Sequence, residues 1–370
     1  MASHQLIVDL FIDPKRALTL DDDTWVPVIL VLRHQQLLAR FSYQFREAGV
    51  FSRLSSYAQH HLRNAEIIAD KQYRQIELEA AELTMLLSSI NVTPVFLKGA
   101  AYALQPHLKP GAGRTFSDID VLVPKKDIPY IEQQLALFGY LGEPISDYDQ
   151  HYFRNWTHEI PPICHHGRGT VLDIHHNLVP LVSGRAPQIA AFEKHVIKTK
   201  SGYAVLDLPA ITLHSLMHLF FNEVFKHAFR DLTDLHLLFT DFSEDDWTQI
   251  IKLSAETGFM FELMLAVRYC QKILGTRIPP WVCQQLEPIA PNAVRLWLLD
   301  FIFSYTLRPN HPLVSSKRQK IANFFAFVRG HYLKMPLPIL FWHLMMKSFF
   351  AVRDAIFGKH HFNPKNSANR

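Results

Sequence analysis

Two aspartates, Asp118 and Asp120, interrupt a short apolar run, DIDVLVP (118–124). Pro124 stops the run, and Ile119, Val121 and Leu122 give it the composition of a strand. Successive strand residues point to opposite sides, so Asp118 and Asp120 share one face while Ile119 and Val121 share the other. Neighbouring like charges repel, and burying a carboxylate without a partner is costly. A chain that contains this strand must turn one of its faces to a core and the other to a cleft. A divalent cation is the simplest compensation there: Mg²⁺ takes hard oxygen ligands, commonly one or two carboxylates together with substrate phosphates.

A second run, TPVFL (93–97), reads as a strand, and GAAYAL reads as a short helix opening directly from it. Pro106 and KPGAG (109–113) end that helix in a loop. Free N–H groups and the dipole at the helix start suit a phosphate, and Gly99 and Ala100 are small enough for its close approach. Lys98 or Arg114 would add positive charge and Ser117 a hydroxyl. By itself Lys98 reads as a surface residue. Downstream, Asp173 in VLDIHH lies between Leu172 and Ile174, again strand-like with its neighbours on the core side. Asp118, Asp120 and Asp173 on neighbouring strands form the set that two-metal phosphoryl or nucleotidyl transfer requires, and they are the expected catalytic and metal-holding residues.

The rest of the chain divides around this unit. Residues 1–90 read as a helical N-terminal region and 91–208 as an α/β core. Residues 209–310 read as a helical domain capping the cleft, and 311–370 as a basic, apolar helical tail. Within the core, KDIPYIEQQLALFGY has the spacing of a helix, and HYFRNWTHEIPPIC and TVLDIHHNLV read as two strands of a hairpin turned by HHGRG. The predicted fold class is α+β, a small mixed sheet embedded in helices.

Other polar residues attach to the same unit. By alternation His175 points to the side of Asp173, where it would touch substrate or orient the carboxylate, and His176 points to the core. His151, His158, His165, His166, His175, His176 and Cys164 crowd one region, but their spacing matches no zinc pattern. In FKHAFRDLTDL (225–235), Lys226, Arg230 and Asp234 are candidate substrate contacts. Arg230 and Asp234, four apart on one helix face, could pair with each other; the stretch reads either as a helix-helix salt bridge or as a contact with nucleotide or acceptor.

Charge is uneven. From Arg308 to Arg370 there are eleven Lys/Arg and one acid, whereas the remainder carries a net −6. Such a tail suits an anionic partner. Residues 317–357 mix aromatic and basic residues, which predicts either packing on the protein or peripheral contact with a membrane; Pro336, Pro338, His343 and Lys347 argue against a spanning helix. Three scattered cysteines and an N-terminus without the order of a signal peptide fit the cytoplasm.

The stretches PVFLKGAAYAL, PGAGRTFSDIDVLVPKKDI and LALFGY resemble the uncharacterised nucleotidyltransferase family of bacteria, a branch of the DNA polymerase β-like superfamily. TVLDIHHNL stands where such families place a third carboxylate, and the similarity covers most of residues 30–240. The resemblance implies a polymerase β-like catalytic domain that moves an NMP from an NTP such as ATP to an acceptor hydroxyl, with Mg²⁺ or Mn²⁺ held by Asp118, Asp120 and Asp173. Gly99 would mark the phosphate-binding helix start. Ala100 stands where many members have serine, and the spacing from the glycine to the aspartates is longer than in minimal members. The acceptor is open: a small molecule, a peptide, a protein or RNA. Two other readings fit the same residues, a catalytically inactive nucleotide-binding or scaffold protein on this fold, and a nucleic-acid or membrane-surface binder acting through the basic tail.

Overall fold

The structure is a computed structural model that describes residues 3–357; the first two residues of the expected N-terminal region and residues 358–370 of the expected tail lie outside the described residues. Among the described residues seven short strands form one mixed sheet: β1 Val95–Phe96, β2 Ile119–Leu122, β3 Tyr140–Gly142, β4 Ile163–His165, β5 Val171–His175, β6 Val196–Lys198 and β7 Ala204–Leu206. Their order is β3-β4-β5-β2-β1-β7-β6. The central pair β2/β5 is parallel, β1 runs antiparallel to β2, and β7 joins β1 in parallel. The fold is α+β, as the sequence predicts, with helices before, within and after the sheet.

Helix Ser56–Ser88 braces the sheet. Ser55 caps it by accepting from the Ala58 N–H, and its buried stripe, Leu62, Ala69, Ile76, Ala80, Leu83 and Leu87, keeps helical spacing. It also carries the buried acid Glu79. Arg168 at the β4–β5 turn donates Nε to Glu79 Oε1 (2.6 Å), Thr170 donates its hydroxyl to the same oxygen (2.7 Å), and Tyr140 donates to Oε2 (2.7 Å). One carboxylate thereby fixes the hairpin that presents Asp173. On the other side, Asp207 caps helix Leu208–Phe221, which is buried almost throughout, and helix Ala228–Thr240 packs on it.

The structure corrects the expected hairpin. HYFRNW is not a strand; it belongs to helix Asp147–Trp156, and of the expected first strand Ile163–His165 pairs with β5 as a ladder and Glu159 through a single bridge to His175. Ser146 accepts from the Asp149 N–H, Asp147 and Asp149 favour the positive end of the helix, and Tyr148, Tyr152 and Trp156 recur every four residues. Aromatic residues raise strand propensity, but capping and spacing decide here. Strands β3, β6 and β7, each three residues long, were not expected from the sequence.

The last three helices of the described residues are Ala293–Thr306, Lys317–Lys334 and Leu337–Phe357. Helix Lys317–Lys334 packs inward through Ala322, Ala326 and Gly330. A Cβ on Gly330 would lie 2.5 Å from the Glu223 Cα, so only glycine permits this approach.

Candidate active site

Pairing between β2 and β5 sets Asp120 directly beside Asp173, and Leu122 beside His175. Asp118 sits one residue before β2 begins, so the strand starts later than its composition predicts. Asp120 is buried, 3 % exposed; Asp118 and Asp173 are half-buried. The alternation that sends Ile119, Val121, Leu172 and Ile174 into the core turns the carboxylates away from it.

Asp120 is the best-partnered of the three. Lys98 donates Nζ to Asp120 Oδ1 at 2.6 Å, and His175 donates its Nε2–H to the same oxygen at 2.8 Å. Burial opposes the charge on Asp120, but the Lys98 ammonium and the His175 ring overcome it and hold the carboxyl well below the usual carboxylate range. Lys98 is therefore no surface residue: its side chain is 22 % exposed and ion-paired. Its backbone takes φ +45°, a left-handed conformation that costs a non-glycine residue energy, of the order of 1–3 kcal/mol. That strain sits at the step from β1 into the short helix Lys98–Ala103 and aims the side chain at Asp120.

The other two acids are poorly compensated. Burial and the neighbouring Asp120 raise the Asp118 carboxyl, whose one side-chain hydrogen bond comes from the Ser117 hydroxyl at 3.1 Å. Asp173 is pushed up to about 7 by burial and by the charges of Asp120, Glu159 and Asp118. Its Oδ1 is buried with no hydrogen-bond partner. An orphaned buried oxygen and an under-compensated carboxylate beside a third acid form a donor set that fits a divalent cation.

A cleft of about 330 Å³ opens from Asp118 and Asp120. Of the expected residues, Lys98, Gly99, Arg114, Ser117, Lys226, Arg230 and Asp234 also line it. Ala100 does not, because its methyl is buried in the core. Asp173 and His175 lie beside the lining, on the neighbouring strand. At Gly99 an added Cβ would meet the Phe116 ring at 2.9 Å, so glycine keeps the backbone and that ring in close contact.

Arg230 and Asp234 do not pair with each other, although Asp234 does form a helix-helix ion pair, with Arg40. Arg230 instead donates to Asp231 at 2.9 Å and to Gln36. Asp234 is buried between two arginines, Arg40 at 2.6 Å and Arg114. Arg40, 3 % exposed at its side chain, also donates to Thr233 Oγ1 (2.8 Å) and the Pro110 carbonyl (2.7 Å). The helical spacing was right, but partners from distant segments outcompete it. Asp231 lies 3.9 Å from Arg114; burial opposes its charge, yet Arg230 and Arg114 bring it down to about 2. Lys226 is exposed at the cleft.

Several residues of the site are not legible in the sequence. Glu159 reaches it through an isolated bridge to His175, and its Oε2 lies 3.5 Å from His175 Nε2. Ligand atoms of His158, Glu159 and His175 come within 4.8 Å of one another, and burial keeps His158 neutral. THEIPP carries no spacing rule that announces this. Arg40 backs the cleft through Asp234; it sits in an otherwise unremarkable helical segment some seventy residues before Arg114, one of the two arginines that line the cleft.

A family model described as uncharacterised nucleotidyltransferase matches residues 21–275, a span that contains the sheet, the three aspartates and the cleft. No curated protein and no solved structure matches the chain. The matched span covers well over half of the sequence and every residue of the site described above: the chain belongs to the uncharacterised nucleotidyltransferase family.

Proposed function

We propose that the chain is a divalent-cation-dependent nucleotidyltransferase that moves a nucleoside monophosphate from an NTP to an acceptor hydroxyl. One observation carries this reading: Asp120 and Asp173 are register neighbours, Asp118 lies two residues upstream, and the cleft they border is also lined by Arg114, Lys226 and Arg230. When bound by Asp118, Asp120 and Asp173, Mg²⁺ or Mn²⁺ would offset charge on the attacking and leaving oxygens. Arg114 and Arg230, held in place by Asp231 and Asp234, bind the phosphates together with Lys226. Gly99 lines the same cleft, and Ser117 orients Asp118. The acceptor oxygen attacks the α-phosphorus, the bond to the β-phosphate oxygen breaks, pyrophosphate leaves, and Asp173 takes the hydroxyl proton.

The test is transfer of label from α-³²P-NTPs to sugars, aminoglycoside-like molecules, peptides, proteins and RNA. Asp118→Ala and Asp173→Asn should each abolish it; a folded, fully active Asp118→Ala protein would overturn the assignment.

A second reading, nucleotide binding without turnover, is favoured by Lys98, whose ammonium already neutralises Asp120. Under it, wild-type protein binds NTP but transfers no label to any acceptor. Lys98→Met would then tighten cation binding by removing the competing charge.

A further inference from the structure

Helix Lys317–Lys334 is inside out. Its buried face carries the small residues Ala322, Ala326 and Gly330, while its exposed arc carries Ile321, Phe324, Phe325, Val328 and Tyr332. A helix that served only this protein's core would place the aromatic residues inward. Leu337–Phe357 repeats the inversion. His343, on its inner side, receives a hydrogen bond from or donates one to Tyr148 Oη at 2.9 Å and stacks on Tyr152. Outside, Leu337, Phe341, Leu344, Met345, Phe349 and Val352 form one arc at spacings of three and four, with Phe341 72 % exposed. Helix Ala293–Thr306, packed against the first of these, exposes Val294, Trp297 and Leu298. So many outward apolar side chains on three successive helices exceed what a monomer ordinarily leaves bare.

Charge names the occupant. Residues 293–357 contain nine Lys/Arg and two acids; Asp300 is held by Arg268 and Lys272, while Lys334 and Lys347 pair with Glu223 and Asp149 and Arg329 turns inward onto the Phe220 carbonyl. The first turns of Lys317–Lys334 present exposed Lys317, Arg318 and Lys320 at one end of the aromatic arc. Exposed tryptophan, tyrosine and phenylalanine next to lysine and arginine are the composition of a helix lying in a bilayer interface. Among the described residues no helix is long and apolar enough to cross a membrane. None of residues 293–357 lines the cleft, so this surface is separate from it. We infer that the outward face of residues 293–357 is a docking surface for an anionic bilayer.

The test uses the full chain with vesicles of phosphatidylcholine alone and of phosphatidylcholine with phosphatidylglycerol. Co-sedimentation with the anionic vesicles, together with quenching of tryptophan by brominated lipid, is expected. Lys317→Glu with Lys320→Glu should weaken binding about tenfold or more, and added salt should act in the same direction. Phe324→Asp with Phe341→Asp should abolish it while leaving nucleotide binding and thermal midpoint unchanged, since both positions are exposed. Three results overturn the inference: no association with anionic vesicles, equal binding by the Phe324→Asp/Phe341→Asp protein, or a dimer in solution that Phe324→Asp dissociates and that buries this face against a second copy.

Discussion

Asp234→Asn probes the arginine clamp in the wall of the cleft. The substitution keeps shape and one acceptor oxygen but removes the charge shared by Arg40 and Arg114, whose side chains are only 3 % and 9 % exposed. Arg40 keeps its bonds to Thr233 and Pro110, and Arg114 keeps a longer contact with Asp231. Neither replaces the lost carboxylate, so two cations are left facing each other away from water. Breaking a buried pair by removing one partner costs about 3–5 kcal/mol, and with two orphaned cations the loss should reach that range. That is a large share of the roughly 5–15 kcal/mol by which a folded protein exceeds its unfolded chain. Urea unfolding of the full chain at neutral pH measures it. Adding Arg40→Met should recover part of the loss, because one of the orphaned charges goes, and the double variant should be more stable than the two single effects summed. A loss below about 1 kcal/mol for Asp234→Asn, the scale of an exposed pair, would refute the clamp. So would strict additivity with Arg40→Met.

Glu79→Ala should destabilise the β4–β5 hairpin by about 3 kcal/mol or more, since Arg168, Tyr140 and Thr170 all lose their acceptor; hydrogen exchange should quicken first at residues 163–175, and unchanged protection there would count against it. Stability should also fall on mild acidification because of His236, which burial and then Lys109 bring down to about 4 from 6.5. Between those values the unfolded chain binds the extra proton, so stability is lost as pH drops from 6.5 towards 4 and the loss levels off below. His236→Gln should flatten that part of the pH dependence of the urea midpoint, and parallel curves for the two proteins would rule the histidine out.

The parts of the site that could be read in advance are those governed by strand alternation. Asp118, Asp120 and Asp173 each sit among residues whose apolar neighbours demand a core, which fixes where the carboxylates point. The helices follow from equally local signals, caps and spacing. What escaped depends on partners far apart in the chain. Lys98 looks like an exposed lysine until β1 and β2 are paired, and only then does its ammonium meet Asp120. Arg230 and Asp234 obey the rule for neighbouring turns, but Gln36, Arg40 and Arg114 arrive from outside the helix and take both. Glu159 enters through a single bridge, too small a signal for any pattern. Strands of three residues, such as β3 and β7, are likewise held by their neighbours rather than by their own composition.

The pairing of Asp120 with Asp173 makes chain length part of the chemistry. A strand repeats every two residues, so sliding β5 along β2 by one position would set Leu172 or Ile174 beside Asp120 and send Asp173 into the core. Residues 166–170 between β4 and β5 therefore act as a ruler, pinned by the bonds from Arg168 and Thr170 to Glu79. Insertions elsewhere on the surface change only a loop, whereas a one-residue slip there would exchange Asp173 for an aliphatic side chain beside Asp120 without altering a single residue of the site.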